Sequence, residues 1–141
     1  MYKRQVTFID TAGAGYDEEQ EPDGESRLNP QEAALVARKV QALLDAGVAP
    51  EAIAVIAPYA AQVRRLRAEL AVPGLEIDSV DGFQGREKEA VVLSLVRSNR
   101  AGEVGFLADV RRLNVALTRA RRKVVIVGDS ATLACHPFYQ S

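Results

Sequence analysis

The sequence predicts an α/β domain built on a mainly parallel sheet, and three observations carry that expectation. Three apolar runs of strand length, IAVIAP at 53–58, AVVLSLV at 90–96 and KVVIVGD at 123–129, have apolar interiors with almost no polar break; such runs suit strands covered on both faces. Segments whose apolar residues keep helical spacing stand between them. The resulting order of strand, helix, strand, helix, strand, strand, helix, strand is that of parallel strands joined by crossover helices. With 141 residues, positions 1–141 are expected to form a single domain.

The elements follow in chain order. VTFID at 6–10 reads as a short strand. An acidic, Gly- and Pro-bearing loop is expected within 15–28, its six acids (Asp17, Glu18, Glu19, Glu21, Asp23, Glu25) solvated and mobile. Asn29-Pro30-Gln31-Glu32 opens a helix: Asn29 suits the cap, Pro30 the first turn and Glu32 the acid of a capping box. Apolar residues at 33, 36, 37, 40, 43 and 44 continue it, and Gly47 ends it. After the 53–58 strand, residues 59–70 return to helical spacing, and EIDSV at 76–80 reads as a strand. DGFQGREKE at 81–89 is read as a loop ahead of the 90–96 strand, and residues 97–106 as a loop or hairpin. Residues 109–121 are expected to be helical, with the 123–129 strand behind them and one helical turn in the tail.

Composition excludes several classes. Lys+Arg (18) and Asp+Glu (19) nearly cancel, so nucleic acid or a membrane can be met only through local patches. The single cysteine, Cys135, allows no internal disulfide, and no apolar run approaches the ~20 residues of a membrane span; a cytoplasmic, monomeric protein is expected. No G-x-x-x-x-G-K-[ST] phosphate loop occurs, and the one histidine, His136, supports neither a zinc site nor a nucleophile–base pair. No metal site is expected.

Positive charge is nevertheless concentrated in RRLNVALTRARR at 111–122. On a helix, Val110, Leu113, Ala116, Leu117 and Ala120 share a stripe, and Arg112 and Arg119 lie together at its edge. Such arginines either snorkel into solvent or fork onto phosphate oxygens. Arg111, Arg121 and Arg122 read as surface charge or backbone contacts.

The ordered series NPQEAALV, AVIAPYAAQV, SVDGFQGREKEAVVLSLVRSN, GFLADVRRLNVALTRAR and VVIVGD closely resembles the second RecA-like domain of superfamily 1B, Upf-like helicases, and most of all the immunoglobulin-mu-binding-protein type. The resemblance covers nearly the whole chain. It implies a three-layer RecA-like, P-loop-NTPase-like domain lacking its own P-loop. It further implies that ATP and Mg²⁺ are held mainly by a separate P-loop-bearing RecA-like domain, in cis or in trans, with none tightly bound here. Arg119 matches the family's arginine finger, and Arg112 is the next candidate, for nucleotide sensing or for coupling to nucleic acid. Gln84, Gly85, Arg86 and Glu87 match its nucleotide loop: Gly85 approaching the γ-phosphate, Glu87 accepting a bond from the ribose. For Glu87 a surface pair with Lys88 or Arg86 is the alternative. Pro58, Tyr59, Gln62, Ser79 and Asp81 match single-stranded DNA or RNA contacts. Tyr59 either stacks on the strand or packs on its own helix. Arg97, Ser98 and Asn99 are expected beside that surface as a relay. The P-loop and the Q-Y-R-M-H-P segment of the family do not occur in the chain, so no ATP hydrolysis by the chain alone is expected. A binding module without catalysis is the alternative.

Overall fold

The structure is a computed structural model that describes residues 5–20, 26–80, 82–83, 87–97, 117–129 and 132. Strand β1 (Gln5–Asp10) is followed by a two-stranded antiparallel ribbon, β2 (Glu19–Gln20) and β3 (Arg27–Leu28). Helix α1 (Pro30–Asp45), β4 (Ile53–Ala57), α2 (Ala60–Glu69), β5 (Glu76–Ser79), β6 (Lys88–Ser94) and β7 (Ala120–Gly128) complete the described elements. Five strands form one sheet in the order β1-β7-β6-β4-β5, and every pairing in it is parallel. This is the expected α/β architecture.

Both faces of the central strands β4 and β6 are covered, as continuous apolar strands require, whereas Val6 and Phe8 of the edge strand β1 stay exposed. On one face, Val55, Val92 and Val125 stand in register and pack with Ala33, Val36 and Val40 of α1 and Val63 and Leu66 of α2. On the other, Ile56 and Leu93 pair in register and meet Val80, Phe83 and Leu117. Ile53, Ile56, Leu66 and Leu93 are among the largest fully buried side chains, each worth about 1.5–3 kcal/mol of burial.

Helix α1 begins as its sequence suggests, with the Asn29 side chain accepting the Glu32 N–H at 3.1 Å. Gly47 takes φ +98°, the left-handed conformation that ends the helix. Glu32, however, closes no capping box. The Asn29 N–H goes to Gln62 Oε1 at 2.9 Å, and the Glu32 carboxylate turns into the interior.

Three boundaries differ from expectation. The acidic loop contains the β2–β3 ribbon. Strand β6 begins at Lys88, because the Lys88 N–H donates to Arg119 O at 2.9 Å and extends the ladder beyond the apolar run. Strand β7 begins at Ala120, whereas helix is expected through 121; Thr118 and Arg119 already lie in a turn. Lys88 pairs with Ala120 and Ala90 with Lys123, so β7 carries an extra residue there. That irregularity turns both Arg121 and Arg122 to solvent, which a regular strand would not do. The remainder of the expected 109–121 helix, the 97–106 hairpin beyond Arg97, and the tail lie largely outside the described residues.

Candidate functional site

Parallel strands bring their like ends to one side of the sheet, and this sorts the candidate residues into two groups. Pro58 and Tyr59 follow β4, Ser79 ends β5 and Arg97 follows β6, so all lie at the C-terminal edge. Glu87 precedes β6 and Arg119 precedes β7, so both lie at the N-terminal edge. Arg112, Gln84, Gly85, Arg86, Asp81, Ser98 and Asn99 lie outside the described residues.

At the N-terminal edge the main-chain bond from Lys88 to Arg119 places the two nucleotide candidates on adjoining strand starts. Arg119 is half-buried; its Nε is shut off from solvent, and its Nη2 donates to Thr118 Oγ1 at 3.4 Å. Glu87 is exposed, and its Oε1 lies 3.6 Å from Arg121 Nη2. Its ion pair is thus with Arg121, not with Lys88. Lys88 instead reaches Glu76 at 3.2 Å and the Glu51 carbonyl at 2.9 Å. Arg122 pairs with Glu89 at 3.0 Å. An exposed carboxylate and a partly shielded guanidinium fit a ribose hydroxyl and phosphate oxygens respectively.

The C-terminal edge holds a polar network. Strand β6 ends in a tight turn at Val96, which takes φ +72°. The Arg97 N–H donates to Leu95 O at 2.8 Å. This is a γ-turn with positive central φ, a strained conformation for a β-branched residue. The surroundings hold it in place. Glu32 Oε2 accepts the Val96 N–H at 2.7 Å and the Ser94 hydroxyl at 2.9 Å. Asn29 Nδ2 donates to Val96 O at 3.1 Å and to Tyr16 O at 2.6 Å. Burial pushes the Glu32 carboxyl up to about 8; the bonds from Ser94 and Val96 oppose that rise and the nearby Asp129 charge adds to it.

Gln62 belongs to this network, not to an open surface. It is 0% exposed, and its Nε2 donates to Asn29 O at 3.2 Å and Ser94 Oγ at 3.1 Å. It is a strut between α1, α2 and β6, on a face of α2 that turns inward with Ala61, Val63 and Leu66, which helical spacing alone does not reveal. Arg97 is likewise buried, at 5% exposure. Its Nε meets Glu18 Oε1 at 2.9 Å, and its Nη1 donates to the Tyr59 hydroxyl at 3.1 Å. Burial opposes the Arg97 charge, but its bonds to Glu18 and Tyr59 outweigh burial and hold its pKa above the ordinary value. Neither residue is placed to touch a strand directly. Tyr59 and Pro58 are half-buried, and Ser79 closes its own turn by accepting the Gly82 N–H at 2.9 Å.

Glu18 departs from the solvated position expected of it. Its side chain is only 7% exposed and also meets Arg27 Nη1 at 3.3 Å. Nothing in one sequence separates it from the five acids around it. A surface groove of about 860 Å³ beside β5, lined in part by Glu51, Arg67, Leu70, Pro73, Ile77 and Lys88, contains none of the candidate residues.

The covered parallel sheet, with its candidates sorted to two opposite edges, defines a RecA-like α/β domain. The chain belongs to the AAA domain family, whose pattern matches residues 1–131. It is 59% identical over 138 residues to the DNA-binding protein SMUBP-2 of Rattus norvegicus, covering 96% of this chain and 14% of that protein. It is 45% identical over 135 residues to the DNA polymerase alpha-associated DNA helicase A of Schizosaccharomyces pombe, covering 91% and 20%. It is 46% identical over 131 residues to a regulator of nonsense transcripts 1 homolog of Arabidopsis thaliana, covering 86% and 10%. These likenesses make it a domain of the superfamily 1, Upf-like type. The chain spans a fifth or less of the length of each of these relatives. Among the described residues, no helix is long and apolar enough to cross a membrane.

Proposed function

We propose that the chain is the second motor domain of an ATP-dependent helicase acting on DNA or RNA, in a reducing, cytoplasmic setting. One observation carries this reading: Glu87 and Arg119, separated by 32 positions in sequence, begin adjoining strands joined by the Lys88–Arg119 main-chain bond. In this reading Arg119 is the finger that neutralises charge developing on the transferred phosphoryl group. Glu87 accepts a hydrogen bond from the ribose, and Gln84, Gly85 and Arg86 complete the loop, with Arg112 as a further nucleotide contact. ATP and Mg²⁺ are held mainly by a partner P-loop domain. Tyr59, Pro58, Ser79, Asp81 and Asn99 contribute to the surface that receives a single strand.

The test is steady-state ATPase activity, stimulated by single strands, in a helicase carrying this domain together with its P-loop domain. Arg119→Ala is expected to lower kcat about 10³-fold with nucleotide binding much less affected. An unchanged kcat refutes the assignment of Arg119. Robust turnover by the 141-residue chain alone refutes the two-domain reading. A second reading, a strand-binding module without catalysis, draws on the self-contained network around Tyr59. Tight, strongly salt-dependent binding by the chain alone favours it.

A further inference from the structure

We propose that Glu18 is a positioning residue for single-strand binding: acting through Arg97, it fixes the Tyr59 ring as a platform for a base. This inference rests on the strand-binding part of the reading above.

The geometry begins with Tyr59. It occupies the cap position of α2, yet its side chain makes no capping bond. The Ala61 N–H is taken by Ser26 Oγ at 3.0 Å, from the chain just ahead of β3. The phenol turns to Arg97 instead. Its hydroxyl accepts from Arg97 at 3.1 Å, while the guanidinium carbon lies 6.0 Å from the ring centroid. That distance is the outer limit of a cation–π contact, so of the two Arg97 contacts the hydrogen bond is the firmer. Arg97 in turn points where it does because the γ-turn at Val96 redirects the chain and Glu18 takes its Nε. Arg27 holds the second Glu18 oxygen.

A buried ion pair is weak evidence of stability, since desolvation offsets much of the attraction. Its firm contribution here is orientation. A tyrosine ring has two rotatable bonds, and anchoring the hydroxyl end fixes the ring before a base arrives. Ordering such a ring only on binding would weaken affinity about 3- to 10-fold.

Simple electrostatics predicts the opposite sign. Glu18 is an anion at an edge that would meet phosphates, so removing its charge should tighten binding. The two ideas therefore separate in one measurement. The full chain, labelled with 3-fluorotyrosine, is titrated at low salt and up to millimolar protein with a single-stranded oligonucleotide containing 2-aminopurine. Glu18→Gln is expected to shift the Tyr59 fluorine line in the free chain, to weaken strand binding about 3- to 10-fold and to reduce 2-aminopurine quenching. The salt slope should stay the same, because no phosphate contact is lost. On a Tyr59→Ala background Glu18→Gln should cost nothing further. Tyr59→Phe, which keeps Glu18 and Arg97 paired, should reproduce the loss and tests the same link should Glu18→Gln not fold.

Tighter or unchanged binding by Glu18→Gln, an unmoved fluorine line, or an equal loss on the Tyr59→Ala background overturns the proposal. If Tyr59→Ala weakens binding and Glu18→Gln does not, the positioning role alone falls. If the wild-type chain shows no binding even at millimolar protein, the strand-binding reading falls with it.

Discussion

Replacing Glu32 with glutamine is expected to remove the largest source of pH-dependent instability among the described residues. The Glu32 carboxyl is raised from its ordinary 4.5 to about 8, by burial first and by Asp129 in addition. Between those values the unfolded chain has released this proton and the folded chain retains it. Stability therefore falls as pH rises through the window, is fully present below the ordinary value, and is lost above the raised one. The slope approaches about 1.4 kcal/mol per pH unit. From roughly pH 5.5 to pH 8 the change is about 3 kcal/mol, a large share of the 5–15 kcal/mol typical of a domain. Glutamine can keep the acceptor that Val96 N and Ser94 Oγ use at 2.7 and 2.9 Å, and it has no proton to lose. Urea unfolding of both proteins, followed by circular dichroism at constant ionic strength, provides the assay. The difference between the two stabilities cancels the surface groups. Wild type is expected to lose ground steadily to Glu32→Gln across the window. Parallel curves would refute a neutral buried Glu32.

Three further substitutions probe the fold around the candidate residues. Gln62→Ala strands the Asn29 N–H, removes the bond that the Ser94 hydroxyl accepts and opens a cavity; it should cost about 3 kcal/mol by denaturant melt, with strand affinity of the folded protein unchanged. A specific loss of affinity would return Gln62 to the binding surface. Gly128→Ala would place a Cβ 2.9 Å from Leu95 Cδ1 and 3.2 Å from Leu95 Cβ, and should cost about 1–3 kcal/mol through overpacking; no fall in Tm would show that Leu95 moves aside freely. Arg122→Ala breaks a pair whose arginine is 74% exposed and should shift stability by less than about 0.5 kcal/mol; a larger loss would give the β7 irregularity an electrostatic role.

Elements whose signal is local and redundant are legible in the sequence. Residues 53–57 are apolar at every position and became a strand buried at every position. Asn29 and Pro30 stand together at the start of α1, where cap and first turn each reinforce the other. The start of β7 is not legible, because Leu117 and Ala120 satisfy a helical period and also a turn followed by a strand. Only pairing with Lys88, 32 positions earlier, decides between them. Of the candidate site, resemblance assigns Glu87 and Arg119 to nucleotide, and their strand starts adjoin; Gln62 and Arg97 are expected near a surface and stand inside.

The same physics explains why polar side chains were harder to place than apolar ones. Burying an apolar residue needs only cover, and its periodicity in sequence reports that cover. Burying a polar residue needs partners, and the partners here are remote: Gln62 needs Asn29 and Ser94, and Arg97 needs Glu18, 79 positions away. No window of sequence contains such a set. These partners are not incidental to the edge they occupy. Both main-chain groups of Val96 are satisfied by α1-end side chains, Asn29 and Glu32, so the strained turn persists only while those side chains stay in place. The turn then sets where Arg97 goes, and Arg97 sets where the Tyr59 hydroxyl goes. A change at the start of α1 should therefore reach the β4–α2 turn through three contacts, without altering any residue that meets a ligand.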